Sequence, residues 1–399
     1  MMLRIQRNHI DIWLLIVILG LMVISVGVVY SASAEWSMLK RNGSESHYLD
    51  LHAIKILLSI AALFVGISIP YSAYKKLTKP TLMVAIAFLF VTFILGGEAK
   101  GATRWLRFGG LGFQPSELAK FVLLFHISLL LATKGEQVRD WKTGFRPMLI
   151  WIGLITALVL AQPNLSTGMM IFALSLILLF VGRVKLSHLF LLLIASAALF
   201  AIYIAFMAYV LKRPYQLERI QHFIGSDASG KKNYQLIQGI IAFGNGGLFG
   251  VGPGESRQRD LFLPEAYNDF IYSIVGEEYG LIGTIAVLAA FAFIMFRGYR
   301  IAKHANDEFG RYLAIAITST ITLYALVNAS VALGLLPTTG LPMPFISYGG
   351  TSLLFSAFAI GVLLNVSSYT DLFPRTTKNS ASTEESQQLS PESGLGKVY

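Results

Sequence analysis

Residues 12–30 read IWLLIVILGLMVISVGVVY, a run of about 19 residues without a charged side chain. A helix of this length is long enough to cross the hydrocarbon core of a bilayer. Similar runs recur along the chain, in which 55% of the 399 residues are hydrophobic and only 14% are charged. Backbone groups in lipid must hydrogen-bond internally, and these runs lack the strict alternation of barrel strands. The sequence therefore predicts an all-α integral membrane protein.

The apolar runs predict a bundle of ten transmembrane helices. The predicted spans lie near residues 12–31, 53–70, 81–96, 115–132, 147–161, 168–182, 187–210, 270–296, 312–331 and 349–367. They form one membrane domain over residues 1–375, and the polar tail over 376–399 is expected to be disordered and cytoplasmic.

Lysines and arginines favour a cytoplasmic N-terminus, because they gather in that terminus and in short loops that would share its side of the membrane. This orientation also places the C-terminus in the cytoplasm. Three regions then lie outside the cell and are large enough to contribute to a site. They are 97–116, 332–348 and a large extracytoplasmic loop over 211–269.

Composition removes several classes of function. The chain has no cysteine, which excludes disulfides and thiolate catalysis, and its seven histidines contain no HxxxH pair that would indicate zinc. The net charge of +10 fits basic loops beside lipid head groups, so no nucleic acid is expected as a partner. The stretch GSDASGKK at 225–232 resembles a phosphate-binding loop but ends in Lys232 instead of a hydroxyl residue, so no nucleotide is predicted.

Four carboxylates stand where the eighth span begins, in LFLPEAYNDFIYSIVGEEYGLIG at 261–283. Helix capping would explain Asp269 alone. It would not explain Glu277 and Glu278, whose insertion into a membrane costs a few kcal/mol each unless they are satisfied. We therefore expect a polar, water-accessible cavity that all four residues face, Glu265 included.

A second polar cluster lies in GATRWLRFGGLGFQPSELAKF at 101–121. Glu117 and Lys120 are three residues apart and share one face of a helix. They form either a structural ion pair that fixes two helices or part of a cavity wall. Arg104 is suited to binding phosphate, while Trp105 is suited to the membrane interface. In LPTTGLPMPFISYGGTS at 336–352, Ser347, Tyr348 and the Gly349-Gly350 pair could close the cavity from another side.

Four blocks of the sequence together resemble the SEDS family (shape, elongation, division and sporulation). They are RWLRFGGLGFQPSELAK, NYQLIQGIIAFGNGGLFGVGPGESRQ, LPEAYNDFIYSIVGEEYG and LPTTGLPMPFISYGGTS, in the order of the family. The resemblance implies a peptidoglycan glycosyltransferase of the bacterial inner membrane that polymerises lipid II on the outer face. It also implies undecaprenyl-diphosphate-linked glycan as substrate, a class B penicillin-binding protein as crosslinking partner, and other division proteins.

Within the family, GGLFGVGPGESRQ and the YSASA at 30–34 favour the division branch over the elongation branch. The resemblance implies Asp269 as the catalytic residue. Tyr267-Asn268 precede it where many members have His-Thr. The candidates for binding the substrate or lining its cavity are Glu117, Lys120, Arg104, Trp105, Glu265, Arg213, Arg257 and Ser347.

No cofactor is required by this chemistry, although a divalent cation, Mg²⁺ or Mn²⁺, is an alternative partner for the diphosphate charge. A lipid II flippase is the rival from another class, since intramembrane carboxylates and a central cavity serve transport equally well. The inverted repeat that many transporters show is not visible in the sequence.

Overall fold

The computed structural model describes residues 8–40, 47–95, 97–99, 102–108, 111–210, 234–259, 262–264 and 266–372. Within these ranges the chain is a helical bundle with one small antiparallel sheet. Eight helices are long and apolar enough to cross a membrane, and two more apolar helices are shorter. Each of these ten helices coincides with one predicted span, so the predicted all-α membrane fold is confirmed. The predicted tail over 376–399 lies outside the described residues.

Ten helices supply the spans, and one further helix lies in the region predicted as the large loop. The spans are α1 (Ile12–Lys40), α2 (His47–Ser68), α3 (Tyr71–Leu95), α4 (Pro115–Lys134), α5 (Arg146–Ala161), α6 (Leu165–Val181), α7 (Leu186–Ala205), α9 (Ile271–Lys303), α10 (Glu308–Ala332) and α11 (Thr351–Ser367), and the helix of the loop is α8 (Tyr234–Gly246). Short 3-10 and π turns cover Gly135–Arg139, Trp141–Phe145 and Phe206–Val210.

A small sheet between α3 and α4 was not predicted from the sequence. It contains β1 (Gly97–Ala99), β2 (Ala102–Phe108) and β3 (Leu111–Phe113), paired antiparallel in chain order. Pro115 then occupies the first turn of α4, where its missing N–H has no cost. The sheet therefore leads directly into the helix that carries Glu117 and Lys120.

Helices α2 and α11 cross closely because both present glycine at the contact. A β-carbon at Gly66 would lie 2.5 Å from the carbonyl oxygen of Phe358, and one at Gly361 would overlap the carbonyl of Leu63. Small residues allow this close backbone approach in membrane bundles. The contact fixes the last turns of α2 against the middle of α11, and both helices reach the cavity described below.

One end of the bundle holds the short loops that were predicted to be cytoplasmic. Ion pairs connect neighbouring helices at this end. Asp11 accepts hydrogen bonds from Arg297 Nε at 2.7 Å and Nη2 at 2.6 Å, and both residues are buried. Asp11 also caps α1 by accepting from the backbone N–H of Leu14 at 3.1 Å. At the same end, Asp307 caps α10 and binds Lys75 of α3 at 2.6 Å. These contacts tie α1 to α9 and α3 to α10.

Helix α9 is broken at Gly280, which has φ 64° and ψ −161°. A glycine-rich turn after α8 enters this break. The N–H of Val251 donates to the carbonyl of Glu277 at 2.9 Å, and the N–H of Leu281 donates to the carbonyl of Gly247 at 2.9 Å. The backbone groups that the break releases are therefore satisfied by the turn, and the first part of α9 is held in place by it.

Candidate active site

A cavity of about 760 Å³ lies at the end of the bundle opposite the Asp11–Arg297 pair. It is partly open. Its lining comes from α2, α3, the small sheet, the residues just before α9, and the segment that leads into α11. The described lining residues are Leu51, Lys55, Leu58, Phe88, Trp105, Gly112, Phe113, Gln114, Tyr267, Asn268, Gly340, Pro342, Tyr348, Gly349, Gly350, Thr351, Ser352 and Leu354. Parts of the three segments that were predicted to lie outside the cell, 97–116, 211–269 and 332–348, therefore meet around this cavity.

Asp269 is not itself among the described lining residues of this cavity, but it directly follows two residues that are, Tyr267 and Asn268. It precedes α9, whose N-cap is Phe270, so Asp269 does not occupy the capping position. A β-carbon at Gly340, which lines the cavity, would lie 3.4 Å from Oδ2 of Asp269. The side-chain amide of Asn328 donates to the carbonyl of Asp269 at 2.9 Å and to that of Leu341 at 2.8 Å. One asparagine of α10 thereby fixes the Asp269 backbone against the segment containing Gly340.

Glu117 and Lys120 form the predicted ion pair, with 2.8 Å between Nζ and Oε2. Both residues are buried, and the ammonium lies 3.9 Å from the ring centre of Tyr324. The pair lines a much smaller void of about 10 Å³ beside the main cavity. Pro342, Gly349 and Ser352 line both spaces. Glu117 and Lys120 therefore lie one layer away from the large cavity and support its wall.

Ser347 belongs to the same supporting layer. It is buried, lines the small void, and its Oγ accepts the backbone N–H of Met343 at 2.8 Å. This hydrogen bond closes the turn 343–347, which leads to Tyr348 and the glycine pair at 349–350. Ser347 thus shapes the segment that reaches the main cavity.

The side chains of Arg104 and Trp105 make different contacts although the two residues are adjacent in the sequence. Trp105 lines the cavity, and a β-carbon at Gly112 would lie 3.2 Å from its ring. The Arg104 guanidinium donates from Nη2 to the carbonyl of Pro163 in the turn between α5 and α6. Arg104 is not among the described residues that line the cavity, and its observed contact connects the sheet to that turn.

The described part of the chain does not bring the other predicted site residues, two arginines and one glutamate, to the cavity. Arg257 is exposed and does not line the space. Arg213 and Glu265 lie outside the described residues. The three residues therefore stay predictions as contributors to the site.

The expectation that Glu277 and Glu278 face a water-accessible cavity is wrong. Glu277 is buried and accepts hydrogen bonds from Asn245 Nδ2 at 3.0 Å, from the N–H of Gln258 at 3.1 Å, and from the Ser256 hydroxyl. Glu278 is buried and accepts from the hydroxyl of Ser31 in α1. Buried carboxylates need such donors, and here the donors come from α1 and from the loop that folds back on α9.

Comparison with known proteins identifies the chain's relatives. The model of the FtsW/RodA/SpoVE family, described as "Cell cycle protein", matches residues 11–372. The chain belongs to this family. The "Probable peptidoglycan glycosyltransferase FtsW" of Geobacter metallireducens is 38% identical over 360 residues, covering 90% of this chain and 94% of that protein. The protein of the same name from Trichlorobacter lovleyi is 36% identical, covering 92% and 96%.

A chain of a solved peptidoglycan synthase complex, described as coordinating polymerization and crosslinking, has the same fold as this FtsW/RodA/SpoVE protein. The TM-score is 0.72 with 23% sequence identity, covering 90% of this chain and 97% of that one. The match therefore supports the helical membrane fold over nearly the whole chain.

Sequence analysis of this FtsW/RodA/SpoVE protein missed one lysine that lines the cavity, Lys55, and the aromatic contact between Tyr48 and Tyr348. The ammonium of Lys55 lies 3.4 Å from the ring centre of Tyr348. Tyr348 contacts Tyr48 and Tyr267, with ring centres 5.5 Å and 5.6 Å away. Burial, and secondarily Tyr48, raises the pKa of the Tyr348 phenol to about 12, which keeps the ring neutral at physiological pH. A lysine inside an apolar span was the available signal.

A divalent cation would need carboxylate or imidazole ligands from the chain. The described residues do not bring three or more His, Cys, Asp or Glu side chains together in a group that could hold a metal ion. Mg²⁺ that bridges substrate phosphates takes only one or two carboxylates from the protein. Asp269 is one such carboxylate next to residues that line the cavity, so a divalent cation stays a prediction.

Proposed function

We propose that this protein is a peptidoglycan glycosyltransferase that polymerises lipid II into glycan strands during septal wall synthesis. The activity is the one named for relatives that are 36–38% identical over about nine-tenths of the chain. The single structural observation that carries the proposal is the position of Asp269. This carboxylate stands at the head of a membrane helix and lies next to Asn268 and Gly340, which line a cavity large enough for part of a bulky substrate.

One carboxylate is sufficient for this reaction. The departing group is undecaprenyl diphosphate, which leaves without a general acid, unlike the alkoxide that a glycosidase must protonate. Only the attacking 4-hydroxyl of the acceptor sugar requires activation. A correctly placed general base contributes about 10²–10⁴-fold to such a step.

Asp269 acts as that base in the glycosyl transfer step. The hydroxyl oxygen forms a bond to the anomeric carbon of the donor while the bond from this carbon to the diphosphate oxygen breaks. The diphosphate leaves with the bonding electron pair, and the hydroxyl proton passes to the Asp269 carboxylate. Glu117, Lys120 and Ser347 support the wall of the cavity, and Trp105 lines it.

The membrane location follows from the ten apolar helices and from the family, and the orientation is part of the proposal. We place the cavity on the outer face of the cytoplasmic membrane and both termini in the cytoplasm, because the short basic loops lie at the opposite end of the bundle. A class B penicillin-binding protein is the proposed partner. The coordination of polymerization with crosslinking in the synthase complex that shares this fold motivates that choice.

The proposal is tested by polymerisation of lipid II with purified full-length protein and a class B penicillin-binding protein in detergent. We expect Asp269→Asn to lower the rate about 100-fold or more, because the amide cannot accept the proton. Asp371→Asn, an exposed carboxylate at the opposite end, is the matched control and should retain the wild-type rate.

Three outcomes would count against the proposal or a part of it. Near-normal polymerisation by folded Asp269→Asn would remove the base assignment. The flippase is favoured if wild-type protein moves lipid II across vesicle membranes but never polymerises it, even with the partner present. Rescue of an elongation defect rather than a division defect by the intact gene would assign the same chemistry to the elongation branch.

A further inference from the structure

The proposed reaction leaves one charge without an assigned partner. Undecaprenyl diphosphate carries its negative charge into the cavity as it departs, and a cation there would stabilise it. Of the described cations predicted from the sequence, Lys120 is buried against Glu117, Arg104 binds the carbonyl of Pro163, and Arg257 is exposed and does not line the cavity. The described residues therefore place none of these three at the cavity surface.

Lys55 differs from these three cations in its position. It belongs to α2, is half-buried, and is the one charged side chain among the described residues that line the cavity. Its closest described partner is the neutral ring of Tyr348, 3.4 Å from the ammonium, and it forms no salt bridge with the part of the chain that the structure describes. An ammonium has three donors, and a ring face satisfies it only weakly.

The ring beneath Lys55 is connected to the segment that carries Asp269. The N–H of Tyr348 donates to the carbonyl of Tyr267 at 2.9 Å, and the two rings lie 5.6 Å apart. Tyr267 precedes Asp269 by two positions. One backbone hydrogen bond therefore links Tyr348, whose ring contacts the Lys55 ammonium, to the segment that carries the proposed base. The first residues of α11 also line the cavity, and the N–H groups of a helix start favour an anion.

We propose that Lys55 binds the diphosphate of the polyprenyl-linked donor, with Tyr348 holding the ammonium at the cavity surface. This assignment rests on the proposed function. A cation that lines a partly dehydrated cavity without a carboxylate partner is suited to an anionic ligand. The mostly apolar lining around Lys55 strengthens the attraction because it excludes water. Lys55 and Asp269 then act at one cavity, one on the leaving diphosphate and the other on the attacking hydroxyl.

The test measures equilibrium binding of undecaprenyl diphosphate to full-length protein in phosphatidylcholine nanodiscs. Loss of a charge-assisted hydrogen bond predicts that Lys55→Met raises the Kd about 10- to 100-fold. Lys55→Arg keeps the charge and should stay within about 3-fold of wild type. Lys76→Met removes an exposed lysine at the opposite end of the bundle and should bind as wild type does.

Kinetics provide a second readout with the same variants. Polymerisation by Lys55→Met should show a raised KM for lipid II with a smaller change in kcat if the lysine binds the diphosphate in the ground state.

Binding by variants of Tyr348 tests the role of the ring. Tyr348→Phe keeps the ring and should leave the Kd for undecaprenyl diphosphate near that of wild type. Tyr348→Leu removes the ring face and should raise the Kd several-fold.

The outcomes separate this assignment from the proposed function. If wild-type protein neither binds undecaprenyl diphosphate nor polymerises lipid II, the proposed function fails. If wild type does both and Lys55→Met binds the diphosphate equally tightly, only the Lys55 assignment is overturned. If phosphatidylglycerol in the nanodisc competes with undecaprenyl diphosphate at equal concentration, Lys55 is a general lipid head-group contact and the assignment is also overturned.

Discussion

Glu117 and Lys120 form a buried pair whose support of the cavity wall can be measured by exchanging charges. Lys120→Met leaves Glu117 buried without a counter-charge, which costs about 3–5 kcal/mol in comparable sites. We expect a lower Tm in detergent and loss of polymerisation. Glu117→Lys combined with Lys120→Glu restores a pair in the same small void and should recover most of the Tm. Polymerisation should return with it, because neither residue lines the large cavity.

A matched pair at the opposite end supplies the control for this exchange. Glu308 and Arg311 are also three residues apart and lie 3.2 Å from each other, but both side chains are exposed. Glu308→Gln should therefore change the free energy of unfolding by no more than about 1 kcal/mol. Stable but inactive protein after the Glu117–Lys120 exchange would contradict a supporting role and indicate contact with substrate.

Charge patterns in the sequence could predict part of the candidate site. Charges inside apolar spans indicated Asp269 and the Glu117–Lys120 pair, because an unsatisfied charge is costly in a membrane. The same rule applied to Lys55, which was missed because one lysine near a span end also fits an interfacial anchor. Glu277 was assigned to a cavity wrongly, since its donors come from a loop whose path no local pattern specifies.

The break in α9 is the element on which the geometry around Asp269 depends. Gly280 has φ 64° and ψ −161°, a region that only glycine adopts readily. A β-carbon there would also overlap the backbone of the turn at Leu248 and Gly250. We expect Gly280→Ala to lower stability by more than the roughly 1–3 kcal/mol of backbone strain alone. Polymerisation should fall as well, because the first part of α9 follows Asp269.

Thermal unfolding and lipid II polymerisation, measured on the same preparations, test this prediction. Gly27→Ala in α1 is the control, since nothing lies within 4 Å of its added β-carbon and alanine favours helix. Its Tm should equal or exceed that of wild type. Equal stability of Gly280→Ala and Gly27→Ala would mean that the turn does not lock the break.

Spans were the elements that the sequence specified best. Length and the absence of charge suffice to predict a membrane helix, and all ten were located from these features. The sheet β1–β3 was missed because its strands are only three to seven residues long, too short for a clear alternating pattern. The insertion of 247–252 into α9 depends on backbone hydrogen bonds between distant segments, which leave no periodic signal.

The whole molecule has two chemically different ends. One end contains the cavity, the small sheet and Asp269, and the other contains the Asp11–Arg297 and Lys75–Asp307 pairs. Polymerisation outside the cell requires the cavity end to face outward, which the distribution of basic loops favours. The orientation of the bundle therefore decides whether the proposed chemistry has access to an extracellular acceptor strand.

The absence of cysteine makes this orientation directly measurable with single substitutions. Glu255→Cys places a thiol at an exposed position near the cavity end, and Lys142→Cys places one at an exposed position at the other end. A membrane-impermeant maleimide applied to intact spheroplasts should label Glu255→Cys and leave Lys142→Cys unlabelled until the membrane is permeabilised. The reverse pattern would place Asp269 on the cytoplasmic side, where a polymerase that builds the outer wall has no acceptor to extend.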